Sequence, residues 1–136
     1  MRKKVTVVGG GFVGSTTAQR IVDQELADVV LTDLLEGVPA GKALDMLESA
    51  TITGSDSSVA GISTATGDYR ETANSDVVVV TAGFPRKPGM SRDDLLRANY
   101  VVVRAVVEHV VQFSVAEHTP SPQPAGSDPS ASPPAP

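Results

Sequence analysis

Short apolar runs alternate with segments of helical periodicity over residues 1–113. The runs Lys4–Val8, 29–32 and Val77–Val80 are predicted strands, because they are rich in β-branched residues that favour extended backbone. A weaker strand is expected around residues 58–62, within a Gly/Ser/Thr-rich stretch. Four consecutive valines at 77–80 predict a buried strand, since such a run would be unfavourable on an exposed surface.

Helices are predicted between the strands at residues 12–25 and 41–50, the second with Ala43, Leu44 and Leu47 on one face. Strands that alternate with helices predict an α/β fold, with a Rossmann-like parallel sheet flanked by helices. The pattern stops after about four strands. In the usual strand order the fourth strand is interior, so here we expect it to become an exposed edge that promotes self-association.

A third helix is predicted to follow Ser91, its N-cap. Asp93 and Asp94 fall in the first turn, where carboxylates accept hydrogen bonds from free amides and oppose the positive end of the helix dipole. The valine-rich centre, residues 101–107, would also fit a strand. The cap and the apolar spacing that continues to Phe113 favour the helix.

The composition changes at the carboxyl end, where seven of the ten prolines lie between Pro120 and Pro136 among Ser, Ala and Gly. Such a segment cannot bury enough apolar surface to offset its ordering entropy. We therefore predict one domain over residues 1–113 and a disordered tail with polyproline II character over residues 114–136. The abrupt change suggests a truncated, frame-shifted or fused product.

Charge and composition exclude several classes of function. The net charge of −5 arises from 11 basic and 16 acidic residues without a block of either sign, which argues against a nucleic-acid partner. The absence of cysteine excludes thiolate metal sites, and no metal site is predicted. The basic residues 2–4 before an apolar run imitate a secretory signal, but three glycines interrupt the run. No run approaches the ~20 apolar residues that span a bilayer, so we expect no membrane partner and a cytoplasmic location.

Residues 9–14 fit the G-x-G-x-x-G pattern, directly after a predicted strand and before a predicted helix. Gly9 permits the tight turn, Gly11 lets a pyrophosphate approach the backbone, and Gly14 allows close packing of helix and strand. The helix amino terminus supplies amide donors and partial positive charge. The predicted cofactor-binding residues of this turn are Gly9, Gly10, Gly11, Phe12, Val13 and Gly14.

Asp33 ends the second strand 19 residues after Gly14, where its carboxylate can accept hydrogen bonds from both adenosine ribose hydroxyls. It would repel a 2′-phosphate, and Leu34 follows without an adjacent basic residue, so NAD is favoured over NADP. A simple cap of the following turn is the alternative. Thr81, Ala82 and Gly83 close the fourth strand and are expected beside the pyrophosphate.

The loop of residues 81–92 carries Arg86 and Arg92, six residues apart, between prolines and a glycine. Two guanidinium forks on such a loop suit a small dicarboxylate and indicate a mobile anion-binding loop, although solvated surface is the alternative for Arg86. Together with the glycine turn, Asp33 and the segment 41–46 (GKALDM), the stretch 81–96 and Asn99 resemble the lactate/malate dehydrogenase family. The resemblance is to the malate dehydrogenase type and covers only its amino-terminal, NAD-binding half.

The resemblance implies roles for three residues and an activity. Arg86 would pair with the distal carboxylate of malate or oxaloacetate, Arg92 would polarise the substrate carbonyl, and Asn99 would contact the cofactor. The parent reaction would be the NAD-dependent, reversible oxidation of malate to oxaloacetate, a step of the tricarboxylic acid cycle. The family's histidine, its aspartate partner and a third arginine are not identifiable here, and His109 and His118 lack the expected setting. The chain alone is therefore expected to be inactive.

Two other functions remain open at the level of sequence. A non-catalytic assembly module could dock to other subunits through the helix at 41–50, with the tail as a spacer. An adenosylmethionine-dependent methyltransferase shares a glycine turn and an acidic second strand, but it leaves Arg86 and Arg92 without a purpose.

Overall fold

Four parallel strands form one sheet in the computed structural model, which describes residues 2–116. The strands are β1 (Lys4–Val8), β2 (Asp28–Asp33), β3 (Val59–Ser63) and β4 (Val77–Val80), in the order β3-β2-β1-β4. Val7 of β1 lies opposite Leu31 on one side and Val79 on the other. The predicted α/β fold with a parallel, Rossmann-like sheet is confirmed, including the weak third strand.

Two helices connect strands, α1 (Phe12–Asp23) between β1 and β2 and α2 (Val38–Thr53) between β2 and β3. A short 3-10 helix at Arg70–Thr72 lies between β3 and β4, and α3 (Arg92–Ala116) follows β4. Helix α1 ends two residues earlier than predicted, and Glu25 just after it adopts a left-handed conformation (φ 52°). Helix α2 extends three residues beyond the prediction at each end, from a first turn containing Pro39 to a left-handed Gly54. The valine-rich segment is a helix, as the cap indicated.

The carboxyl-terminal prediction is only partly covered by the described residues. Residues 114–116, which we assigned to the tail, continue α3. The rest of the predicted tail, residues 117–136, lies outside the described residues, as does His118. Within residues 2–116, no helix is both long and apolar enough to cross a membrane.

The sheet has a core on each face. On one face, strand side chains pack against α1 and α2, and this cluster comprises Val7, Ala18, Val22, Val29, Leu31, Ala43, Met46 and Val59. On the other face, Val8 packs with Tyr69, which precedes the 3-10 helix, and with Val106 and Val110 of α3. Because the strands are parallel, the carboxyl ends of β1, β2 and β4 lie at the same end of the sheet, where sheets of this kind bind ligands.

The residues that α2 buries are not the three apolar residues that the sequence placed on one face. Ala43 is buried, but Leu44 is 56% exposed and Leu47 also faces outward, while Met46 is buried. The reason is a close approach between α2 and β3: a Cβ at Gly61 would lie 2.0 Å from the Pro39 carbonyl oxygen. This contact brings the amino end of α2 close to β3, and Ala43 and Met46 face the core.

The predicted burial of β4 is also wrong, although its predicted position at the edge is confirmed. Val78 and Val79 are half-buried, whereas Val77 is 52% exposed and Val80 is exposed as well. Among the described residues β4 pairs with β1 alone, so its outer side has no neighbouring strand. A run of four valines thus lies at an open edge of the sheet.

Candidate functional site

The glycine turn between β1 and α1 is built around contacts that exclude side chains. The Gly9 amide donates to the Thr32 carbonyl at 2.8 Å, and Gly9 has φ +111°, a value that other residues rarely adopt. A Cβ at Gly14 would lie 1.8 Å from the Gly9 carbonyl oxygen. The turn and the first turn of α1 are therefore in direct backbone contact, as the glycine pattern predicted.

Thr81, at the end of β4, locks this turn in place. Its hydroxyl donates to the carbonyls of Val8 at 3.0 Å and Gly9 at 3.3 Å. A Cβ at either Gly9 or Gly14 would lie 2.6 Å from the Thr81 Oγ1 atom. The sequence predicted Thr81 as a neighbour of the cofactor but not its contact with the glycine turn, because that contact joins segments far apart in the sequence.

The amino end of α1 is open to an anion. Gly11 is the N-cap, no side chain caps the helix, and its first turn contains no acidic residue. A Cβ at Gly11 would meet no atom within 4 Å, and Phe12 and Val13 are exposed beside it. Free amides at a helix amino terminus attract phosphate oxygens through hydrogen bonds and the helix dipole.

Asp33 lies at the end of β2, and its carboxylate touches the glycine turn. One oxygen accepts from the Gly10 amide at 2.6 Å, and the other accepts from the Leu35 amide at 2.9 Å. The hydrogen bond from Leu35 caps the turn after β2, which is the alternative interpretation of Asp33 given above. Because each carboxylate oxygen has a second lone pair, the cap leaves acceptor capacity for ribose hydroxyls.

The arginine loop, defined as residues 84–91, leaves the site after β4 and Gly83. Arg86 is exposed, and its Nε donates to the Met90 carbonyl at 3.3 Å. Arg92 is exposed and is the first residue of α3. Both candidate substrate arginines are thus accessible to a ligand on the side of the sheet where the strands end.

The start of α3 is capped as predicted. The Ser91 hydroxyl accepts from the Asp94 amide at 3.1 Å, and the Ser91 amide donates to the Asp94 carboxylate at 3.0 Å. This reciprocal pair is a capping box in which aspartate replaces the usual glutamate. A hydrogen bond from the Ser91 hydroxyl lowers the pKa of Asp94, which keeps the carboxylate charged at the positive end of the helix.

Asn99 contacts the root of the arginine loop. Its Oδ1 accepts from the Phe84 amide at 2.7 Å, and its Nδ2 donates to the Phe84 carbonyl at 3.3 Å. A Cβ at Gly83 would lie 2.8 Å from the same Oδ1 atom. The expected contact between Asn99 and a cofactor stays a prediction, whereas its contact with the loop is a feature that sequence reasoning missed.

His109, the one histidine among the described residues, contacts none of the candidate site residues named above. Its Nδ1 lies 2.6 Å from the Ala105 carbonyl oxygen, and its ring stacks on Tyr69 with centroids 5.1 Å apart. Within residues 2–116, no group of three or more acidic or histidine side chains could hold a metal ion. The described site therefore offers ligand-binding groups without a histidine acid/base.

Known proteins match this sequence and this geometry. The sequence matches the family model described as "lactate/malate dehydrogenase, NAD binding domain" over residues 3–119. The malate dehydrogenase of Bacillus subtilis is 52% identical over 115 residues, which cover 83% of this chain and 36% of that protein. The malate dehydrogenase of Roseiflexus castenholzii is 49% identical over 114 residues, which cover 84% of this chain and 36% of that protein.

Solved structures agree with these sequence matches. The apo malate dehydrogenase of Picrophilus torridus has a TM-score of 0.81 at 44% identity, covering 84% of this chain and 36% of that one. The lactate dehydrogenase of Cryptosporidium parvum, solved with lactic acid and NAD, has a TM-score of 0.74 at 40% identity, covering 83% and 34%. The chain spans about a third of the length of these relatives. It belongs to the lactate/malate dehydrogenase family and forms the NAD-binding domain of that family.

Proposed function

We propose that the chain is the NAD-binding half of a malate dehydrogenase, whose parent reaction is the reversible oxidation of malate to oxaloacetate. The relatives that match are named malate dehydrogenases, but the chain spans about a third of their length. The substrate and the activity of the whole enzyme are therefore part of the proposal. So is a cytoplasmic location.

The proposal rests on one observation: the uncapped amino end of α1 lies beside the Asp33 carboxylate, which two backbone amides hold in place. The open space at Gly11 and the uncapped start of α1 fit a pyrophosphate. Asp33, fixed by the Gly10 amide at 2.6 Å, fits the ribose hydroxyls and repels a 2′-phosphate. When bound, NAD would supply the hydride acceptor, and the residues of this chain would bind and orient it.

Arg86 and Arg92 are the proposed substrate-binding residues. Arg86 would pair with the distal carboxylate of the dicarboxylate through its planar fork, and Arg92 would polarise the carbonyl. Thr81, Ala82 and Gly83 would pass beside the dinucleotide, and Asn99 would lie near it. Since His109 is engaged with Ala105 and Tyr69, the described part of the chain supplies no histidine for the proton transfer. The chain would bind cofactor weakly and turn over nothing alone.

Calorimetric titration with NADH and NADPH tests the cofactor part of the proposal. We expect heat of binding with NADH and an affinity for NADPH at least about tenfold weaker, because the Asp33 carboxylate would face the 2′ position and repel a phosphate there. Asp33→Ser should bring the two affinities within about threefold of each other, since the repelling charge is removed. Asp45→Ser, which removes an exposed carboxylate on α2, serves as the control and should keep the preference. An equal affinity for both nucleotides in the unaltered chain would contradict the assignment of Asp33.

Oxaloacetate-dependent oxidation of NADH tests the absence of turnover. We expect no rate above background for the chain and none for Arg86→Gln. A measurable rate that Arg86→Gln abolishes, while Arg97→Gln retains it, would show that a proton donor has been overlooked.

An assembly module is the second candidate function. It is favoured by the outward-facing Leu44 and Leu47 on α2, which leave apolar side chains on the surface. The same titration separates the two candidates, because an assembly module without cofactor would give no heat of binding with NADH.

A further inference from the structure

The arginine loop is tied to α3 at both of its ends. At its start, the Asn99 amide forms two hydrogen bonds with the backbone of Phe84, at 2.7 and 3.3 Å. At its end, the capping box joins Ser91 to Asp94 in the first turn of the same helix. Between these points, the Arg86 Nε atom donates to the Met90 carbonyl at 3.3 Å. The loop thus runs from the end of β4 to the start of α3, and the Asn99 side chain adds a second link between its first residue and that helix.

The tie at Asn99 has a geometry that few side chains can provide. A carboxamide offers one acceptor and one donor side by side, and these match the N–H and C=O of a single residue. Asn99 is half-buried, whereas Gly83 and the loop residues 84–89 are exposed. Its Oδ1 atom also lies so close to Gly83 that a side chain at that position would meet it at 2.8 Å. Asn99 thus packs against the residue from which the loop departs.

We propose that Asn99 is a positioning residue, which fixes the root of the arginine loop to α3 so that Arg86 and Arg92 keep one relative orientation. This inference rests on the proposed function for the identity of the dicarboxylate that the two arginines bind. The tie itself does not depend on that function.

Amide hydrogen exchange on the full chain measures the tie directly. Asn99→Ala removes both hydrogen bonds, and we expect exchange at the Phe84 amide to become about fivefold to tenfold faster, the factor for one net hydrogen bond. Asn99→Asp keeps an acceptor for the Phe84 amide but turns a second acceptor towards the Phe84 carbonyl, so its protection should lie between those of Asn99→Ala and the unaltered chain. Arg97→Ala, on the same helix and exposed, is the matched control and should leave Phe84 exchange unchanged.

Global destabilisation is separated by a reporter in the core. The Val7 amide in β1 reports the stability of the whole sheet, and its exchange should change less than that of Phe84 in Asn99→Ala. Trypsin cleavage after Arg86 gives a second measure, and it should accelerate by about fivefold in Asn99→Ala because the loop root is released. Both measurements are made without nucleotide, because Asn99 is also a proposed neighbour of the cofactor and its substitution can weaken NADH binding by a separate route.

Two outcomes would overturn the inference. One is unchanged exchange at Phe84 in Asn99→Ala, because the tie would then contribute nothing to the order of the loop. The other is cleavage after Arg86 at the rate of the unaltered chain, because the root of the loop would then stay ordered without the Asn99 side chain. If the unaltered chain fails to bind NADH, the proposed function is wrong, and exchange and cleavage still decide the role of Asn99.

Discussion

At the scale of single residues, the glycines of the turn meet two different requirements. The packing of the protein itself requires glycine at position 14, because any side chain there would collide with the Gly9 carbonyl and the Thr81 hydroxyl. The packing does not require glycine at position 11, because a Cβ there would meet no atom within 4 Å. The same sequence pattern therefore contains one glycine that serves the fold and one that leaves room for a ligand.

Substituting alanine at these two positions should separate stability from binding. Gly14→Ala places a Cβ against backbone that cannot move away, so we expect a loss of roughly 1–3 kcal/mol in the free energy of unfolding. Gly11→Ala should leave the free energy of unfolding within about 0.5 kcal/mol but weaken NADH binding, since the methyl group occupies the space at the helix end. Urea denaturation and calorimetric titration measure the two effects. Tight NADH binding by Gly11→Ala would contradict the placement of the pyrophosphate.

The pair Asp68 and Arg70 gives a prediction about pH. Arg70 donates from Nε and from a terminal nitrogen to the two oxygens of Asp68, at 3.0 and 2.6 Å. These hydrogen bonds lower the pKa of Asp68 from 3.8 to about 2. Because the folded-state pKa is lowered, the pair stabilises the fold above pH 3.8 and loses this contribution as the pH falls towards 2.

Carboxyl carbon NMR can follow this titration residue by residue. Asp68 should titrate near pH 2 in the unaltered chain, and Arg70→Gln should return its pKa towards 3.8. Arg97→Gln makes the same change of charge at a distant exposed position and should leave the titration of Asp68 unaltered. A normal pKa for Asp68 in the unaltered chain would mean that the pair does not persist in solution.

At the scale of elements, α2 shows why the larger apolar residue is not always the buried one. Periodicity predicted the helix, but Leu44 and Leu47 outweigh Ala43 and Met46 in any hydrophobicity ranking. The close approach at Gly61 decides the face, and it joins β3 to a helix more than twenty residues earlier in the chain. Sequence reasoning could therefore predict the element but not its rotation about its own axis.

Truncations on α2 test this orientation. Met46→Ala should lower the free energy of unfolding by about 2–3 kcal/mol, because it leaves a cavity among Ala18, Val22 and their neighbours. Leu44→Ala should change it by less than about 0.5 kcal/mol, since that side chain is mainly solvated. Chemical denaturation followed by circular dichroism measures both. A larger loss for Leu44→Ala than for Met46→Ala would contradict this orientation of α2.

At the scale of the whole molecule, the sequence predicted which segments meet at the candidate site, but it did not predict which side chains are exposed. The glycine pattern, Asp33 and the end of β4 come together because parallel strands end at one edge, a rule that needs only the order of the elements. The hydrogen bonds of Thr81 with the glycine turn and of Asn99 with Phe84 were not predicted, since they join side chains to specific backbone atoms of distant segments. The exposure of β4 depends on whether another strand pairs with its outer side.

Self-association through β4 is the prediction at this scale. An exposed edge strand of four valines offers unpaired backbone groups to another chain, so the apparent mass should rise with concentration in sedimentation experiments. Val77→Lys should reduce the association, because a charged side chain on an edge strand opposes pairing. Val101→Lys adds the same charge on an exposed part of α3 and is the control. A stable monomer at all concentrations would contradict the prediction.

The register of β1 has a consequence for how the chain acquires its fold. Val5 lies opposite Val29 on one side and opposite Val77 on the other, so one ladder closes a short segment and the second closes a far longer one. A growing polypeptide that leaves the ribosome can complete β1, β2 and β3 before β4 has been translated. The hydroxyl of Thr81 arrives only after β4. The glycine turn is therefore completed by a segment synthesised well after the turn itself.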